Sequence, residues 1–298
     1  VYVAGAVGFA AATTNPFTVN IAQGIAEVPL NSAIGFRLVF LVCCLTVTII
    51  YVLRYGEKIR RDPENSIMAD DPFKLPDTEV DPPPLRPAHI AILVSCSAIF
   101  VFILYAVQKM GWWLTEMAGG FFLMGLVAIA ISRISLAEAS KAVVKGMEEM
   151  TVAALIVGFA RGITVVLDEG QILDTLIFSA AGVLQHVPRF VAAEGMLVIQ
   201  SILNFFIPSG SGQAAVTMPL MAPLSDVLGL TRQTAVFAFT CGDGFSNTVI
   251  PTSGILMASL GLGKVPYDRW LRFMAPLLIQ LFLIAAAFIA IMVAMNLQ

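Results

Sequence analysis

Met196–Leu228 reads MLVIQSILNFFIPSGSGQAAVTMPLMAPLSDVL, and its interpretation decides the fold. Two apolar runs, Met196 to Ile207 and Ala214 to Leu228, flank the polar tip Pro208-Ser209-Gly210-Ser211-Gly212-Gln213. A membrane-crossing helix needs about 20 mostly apolar residues, and neither run reaches that. The tip has no helix former before Gln213. The pattern predicts a re-entrant hairpin at 190–229, whose two short helices enter and leave from one side. Irregular polar backbone at membrane depth is tolerated only where protein covers it or water reaches it. The hairpin tip is therefore a candidate site.

The composition outside the hairpin agrees with a membrane setting. Hydrophobic residues make up 58% of the 298, charged residues 12%, and the mean hydropathy is +0.87. Soluble domains carry about 25% charge. A net charge of −3 with no basic tract excludes nucleic acid as a partner and leaves the lipid bilayer and a small-molecule substrate. Cys43, Cys44, Cys96 and Cys241 lie in apolar runs without metal spacing and read as packing residues, while His89 and His186 form no ligand set. The fold class expected is an all-α polytopic membrane protein.

Working outward, 33–53 is a transmembrane helix and 54–87, with seven prolines, is a cytoplasmic linker loop. Residues 88–134 supply two scaffold helices, with Trp112 and Trp113 as interfacial aromatics. The stretch 135–146, SLAEASKAVVKG, has helical apolar spacing and three charges and reads as an interfacial helix. Residues 147–298 form the second-repeat transport region, with a span at 151–167, a half-buried helix at 172–184, the hairpin, a broken helix at 232–260 and a last helix at 270–296. Ten of the 17 basic residues fall on one face of this layout, the cytoplasmic one by the positive-inside rule.

The broken helix carries Gly242-Asp-Gly-Phe-Ser-Asn-Thr248 and Pro251 at mid-span. Discontinuous helices near the bilayer midplane are where carriers hold solutes and ions. This helix has an echo at 1–32. Gly244-Phe245 is followed 21 residues later by Val265-Pro266, and Gly8-Phe9 is followed 20 residues later by Val28-Pro29, with a polar break at Thr13-Thr14-Asn15-Pro16. The span count puts the two Val-Pro pairs on opposite sides, so the expectation is an inverted-repeat transporter. The second copy has scaffold helices and a hairpin before its break and the first has none, so symmetry places about 150 further residues before Val1.

The site chemistry follows from residue type. Ser209, Ser211, Gln213, Ser246, Asn247, Thr248 and Thr252, with Thr13, Thr14 and Asn15, are hydroxyls and amides. Unwound backbone adds carbonyls for Na⁺, and half-helix N-termini suit a carboxylate. Isolated Ser and Thr in membranes more often serve packing. Clustered with Gly210, Gly212 and Pro208, they give up backbone hydrogen bonds that packing alone does not demand. Asp243 is the sharpest residue, because an ionisable group at an intramembrane helix break is a functional candidate. It reads as a cation site, a proton carrier, a partner for a cationic substrate, or a helix cap. Arg161 pairs with Asp168 or Glu169 or meets a substrate carboxylate. Asn204 and Asn15 are ligands or local caps, and Asp226 ends a hairpin arm. The rival class is a membrane enzyme. Thr240-Cys241-Gly242-Asp243 lacks the first glycine of the GxGD protease signature, no HExxH is present, and Ser209 has no His base, so no enzymatic activity is expected.

At Asn204-Phe-Phe-Ile-Pro-Ser-Gly-Ser-Gly-Gln213, Met218-Pro219, Ala222-Pro223, Gly242-Asp-Gly-Phe-Ser-Asn-Thr248 and Pro251-Thr-Ser-Gly254, the chain resembles the anaerobic four-carbon dicarboxylate carrier family, above all its YfcC-type members. The resemblance runs over almost the whole chain. It implies an elevator-type secondary carrier of the ion-transporter superfamily, with a scaffold that dimerises, hence a homodimer, and a mobile transport domain. It implies Na⁺ at Ser246, Asn247 and Thr248, and no cofactor beyond a coupling ion, Na⁺ or H⁺. The first copy departs from the pattern with Thr13-Thr14-Asn15-Pro16. The function expected is inner-membrane transport of a small carboxylate-bearing solute, with amino-acid or peptide exchange as the alternative.

Overall fold

The computed structural model describes residues 2–69, 85–112 and 114–297, and among these every regular element is helical. It forms two compact units, one of residues 1–73 and 151–298 and the other of residues 74–150. Among the described residues, five helices are long and apolar enough to cross a bilayer: Ile34–Arg61 (α3), Pro87–Lys109 (α4), Leu114–Ser132 (α5), Arg189–Phe206 (α8) and Tyr267–Met295 (α12). The multi-pass membrane reading therefore stands.

In the first unit the opening segment is a broken helix, Tyr2–Ala10 (α1) and Val19–Ile25 (α2), followed by α3. The same order recurs as Arg232–Ser246 (α10), Gly254–Gly263 (α11) and α12. The ends of α2 and α11 match bond for bond. Glu27 (φ 55°) and Lys264 (φ 51°) are both left-handed, and each precedes a Val-Pro pair. The Val28 N–H reaches the Gln23 carbonyl at 3.0 Å and the Val265 N–H the Leu260 carbonyl at 2.9 Å, while Glu27 and Lys264 each donate at 3.2 Å to Gly24 and Gly261. These are two copies of one helix-ending turn, in which a left-handed residue lets two N–H groups fold back on orphan carbonyls.

The copies run in opposite directions. Phe36 and Phe40 near the start of α3 pack edge-on or tilted against Phe288 late in α12, and Tyr51 and Tyr55 further along α3 do the same against Phe273 early in α12. Tyr2 donates to the Asn247 carbonyl after α10, while the end of α2 meets the start of α10 through Arg232. Arg232 binds the Ala26 carbonyl, Glu27 at 2.8 Å and Asp226 at 2.9 Å. Asp226 thus sits in the last turn of the hairpin's second arm, tied to the first copy.

Helix α10 is the core of this unit. Every residue from Gln233 to Ser246 is buried. Lipid gives no hydrophobic gain for helix pairing, so close packing over small residues must hold it. A Cβ on Gly242 would lie 2.7 Å from Gln200 Cβ, and one on Gly244 would lie 2.4 Å from the Ala10 Cα. These glycines are therefore helical and serve close approach. The expected break at 242–248 is corrected to 247–253, where Pro251 lacks an N–H and Thr248, Val249 and Ile250 fold back on Phe245 and Ser246.

The hairpin forms from α8 and Gly210–Val227 (α9), 18 residues each, joined by Ile207-Pro208-Ser209. Each arm is about 27 Å long at 1.5 Å per residue, longer than the two apolar runs suggested. Polar residues extend the arms because they face α10 and each other. The non-helical tip is also shorter, since Ser209 caps α9 and puts Gly210, Ser211 and Gly212 in its first turn. Pro219 and Pro223 lie inside α9. Ile172–Leu184 (α7) lies against both arms, and a Cβ on Gly195 would lie 2.4 Å from Leu184 Cδ2.

Two boundaries differ from expectation. Helix α3 runs eight residues past Leu53, because Glu57 pairs with Arg60 and Arg61 at helical spacing on a solvated surface. The separate interfacial helix and following span are instead one helix, Leu136–Glu169 (α6), started by a Ser135–Glu138 capping box. The side chains of Arg161 and Asp168, and Trp113, fall outside the described residues. In the second unit α4 and α5 pair through Ile103 over Gly120, with Phe102 edge-on to Trp112 at 5.6 Å. Leu93, Val101, Phe122 and Leu123 stay exposed.

Candidate functional site

Asp243 lies in the last turn of α10 with no exposed surface. Its Oδ1 accepts from Asn247 Nδ2 at 3.2 Å, and its Oδ2 has no hydrogen-bond partner among the described residues. A lone buried carboxylate is costly without a counter-charge. The helix-cap reading fails, because among the described residues no backbone N–H binds its side chain.

The hairpin tip closes on this carboxylate. A Cβ on Gly210 would lie 3.1 Å from Asp243 Oδ2 and 2.5 Å from Thr18 Cγ2. Only a residue without a side chain lets α9 begin so near. Asn204 reaches across from α8, donating to the Asp243 carbonyl at 2.9 Å and to Ser246 Oγ at 2.7 Å. Gln213 donates to both the carbonyl and Oε1 of Gln200, which itself binds Thr217. This amide ladder joins the two arms near their tip. Three neutral oxygens in this region, Thr18 Oγ1, Asn204 Oδ1 and Gln213 Oε1, are buried without a partner, like Asp243 Oδ2. Which end of an amide carries oxygen is assigned from the network. An unpartnered carboxylate oxygen, with unpartnered neutral oxygens on residues of the surrounding elements, suits a cation or an ammonium-type group.

The Ser246-Asn247-Thr248 segment is held more tightly than its sequence indicates. Ser246 Oγ and Thr248 Oγ1 donate back to Gly242 and Phe245 at 2.6 Å each. The break's carbonyls are taken by ring donors: Tyr2 on Asn247 at 3.0 Å, Trp270 Nε1 on Thr248 at 2.8 Å, and Tyr267 on Val249. Sequence reasoning missed these three aromatics, because only the fold brings α1 and α12 to the break. Thr252 donates to the Phe205 carbonyl at 3.0 Å, tying the break to the end of α8.

In the first copy's break the hydrogen bonds of the candidate residues are local. Asn15 Oδ1 accepts the Phe17 N–H at 2.9 Å, a local turn. Thr14 is exposed and contacts Asn20, and Thr13 is half-buried. Thr18, absent from the sequence candidates, is the first-copy residue that reaches Gly210. The signal was its place at the start of α2, where a threonine ordinarily caps; here its hydroxyl makes no cap. At the tip Ser209 caps α9, and Ser211 is half-buried.

Arg37 was also missed. It is buried in α3, donating from Nη1 to Thr240 Oγ1 at 3.2 Å with its guanidinium 5.4 Å from the Phe237 ring centre. Among the described residues no group of three or more His, Cys, Asp or Glu forms a metal centre. A groove of about 530 Å³ between α7 and α9, lined by Phe178, Val216 and Leu220 among others, includes none of the site residues.

The chain is 36% identical over 298 residues, 96% of its length, to an Escherichia coli (strain K12) protein named "Putative basic amino acid antiporter YfcC". It is 32% identical over 304 residues, 99% of its length, to an uncharacterized Haemophilus influenzae protein. The alignments cover 59% of each of these relatives, so the chain spans under two thirds of their length. No solved structure matches it significantly. The family described as DcuC, C4-dicarboxylate anaerobic carrier, matches residues 1–294, and the chain belongs to that family.

Proposed function

We propose that the chain is the solute- and cation-handling part of a secondary active carrier, which moves a small carboxylate-bearing solute across the inner membrane by an elevator-type movement, coupled to Na⁺ or H⁺. The observation that carries this is Asp243: a fully buried carboxylate with a free oxygen, at the meeting point of a hairpin tip and two broken helices running in opposite directions. A coupling cation there neutralises the site and lets the tip close. Its release returns a charge to a low-dielectric position and favours reopening. Asn204, Gln213 and Thr18 supply the neutral oxygens around it, and Gly210 the clearance. Ser246, Asn247 and Thr248 fix the break that positions Asp243. The scheme involves no bond-making step.

A second reading is favoured by the acceptor-rich lining and by the name of the E. coli relative. In it Asp243 receives the solute's own ammonium or guanidinium, and the protein exchanges basic amino acids. The test is counterflow in proteoliposomes with the full-length protein, using succinate, arginine and ornithine. Asp243→Asn that loses cation dependence for succinate supports coupling. Loss of arginine and ornithine recognition supports the second reading. Wild-type rates and cation dependence in Asp243→Asn overturn both.

A further inference from the structure

We propose that Arg37 is the anion-binding residue of this carrier, holding the carboxylate of the carried solute; the proposal rests on the carrier reading above. Arg37 is 1% exposed, on a helix long and apolar enough to span the membrane. Its Nε and Nη2 have no hydrogen-bond partner, and no carboxylate lies within 4 Å among the described residues. A guanidinium in such surroundings is expensive, and contact with one aromatic face offsets only part of that cost. Intramembrane charges of this kind mark substrate paths. Nε and one Nη are the pair of donors that a planar carboxylate takes in the two-pronged mode.

The surroundings fit that ligand. Thr240 Oγ1 accepts from Nη1 and donates to the Phe237 carbonyl, so it fixes one edge of the guanidinium and leaves the other edge unbound. Gln233, on the same face of α10 one turn before Phe237, binds the Ser32 carbonyl through Nε2 and has a buried, unpartnered Oε1. Thr240 lies one turn before Asp243 on the same helix. The two buried charges are of opposite sign and do not pair with each other, so the group that satisfies both brings a carboxylate and a cation together. That chemistry has two sources: an amino acid carrying both, or a carboxylate accompanied by a coupling ion.

The experiment uses the full-length protein in proteoliposomes, with inhibition of counterflow by matched probes. Arginine is compared with agmatine, which lacks the carboxylate, and succinate with succinamide. For wild type, removing the carboxylate weakens inhibition at least tenfold. Arg37→Lys keeps the charge but loses the two-pronged geometry, and raises the half-maximal concentration for the carboxylate probe about 10- to 100-fold while leaving that for agmatine within twofold. An arginine-only response assigns both charges to one amino acid, and a succinate response that requires Na⁺ or low pH assigns the cation to coupling. Arg37→Lys that folds and inhibits like wild type for every probe overturns the proposal. If Arg37→Lys does not fold, Thr240→Val decides, since it keeps the charge and removes only the orienting hydroxyl. An unchanged carboxylate response there overturns the proposal, and a weakened one supports it. Wild-type protein that moves none of the probes contradicts the carrier reading itself.

Discussion

At the residue scale, composition and local motif misassign single positions when the decisive neighbour is distant in sequence. Gly242 and Gly244 read as helix breakers, yet they are helical, because Leu197, Gln200 and Ala10 pack where a side chain would sit. Gly8, in α1, has nothing within 4 Å of the same point. The two classes therefore respond differently. Gly244→Val is expected to lower stability by about 1–3 kcal/mol through overpacking. Gly8→Ala is expected to be neutral or to raise stability by about 0.5–1 kcal/mol. Melting of the purified protein in detergent checks both. Thr18 and Arg37 were invisible for a related reason: a threonine before a helix and an arginine near a span's start are ordinary until the fold buries them. Asp243, by contrast, stood out in the sequence, because an acid inside an apolar run is costly unless it caps a helix or serves a site, and the fold removes the cap.

At the element scale, the hairpin and the broken helix were legible and their limits were not. Apolar runs mark what lipid or the core accepts, whereas helices continue through polar residues that hydrogen bonds satisfy. Asn204, Gln200 and Gln213 lie inside the arms for that reason. Ser209 sets where α9 begins, by accepting the Gly212 N–H at 3.3 Å. Ser209→Ala is expected to cost about 1 kcal/mol, and Ser209→Gly only a few tenths. Thermal denaturation ranks the two, and equal effects would assign the loss to something other than capping. Helix α6 shows the same lesson in reverse. Charges at Glu138, Lys141 and Lys145 suggested a surface helix, but one α-helix carries them and the apolar stretch alike.

At the scale of the whole molecule, the Val-Pro echo foretold two matching units, and the shared helix-ending turns bear it out. What the sequence could not supply is which helices touch. In a background lacking the native cysteines, Cys pairs at 51 and 273, and at 36 and 288, are expected to join through a short thiol-bridging reagent, while 36 with 273 does not. The reverse pattern would contradict opposed copies. The central claim concerns what this arrangement does with Asp243, and accumulation against a gradient tests it most directly. Proteoliposomes of the full-length protein are given an inward Na⁺ or H⁺ gradient, and labelled solute is followed. The account predicts uptake above the external concentration in wild type and only equilibration in folded Asp243→Asn. Solute that binds but never accumulates, or accumulation unchanged in Asp243→Asn, would contradict it.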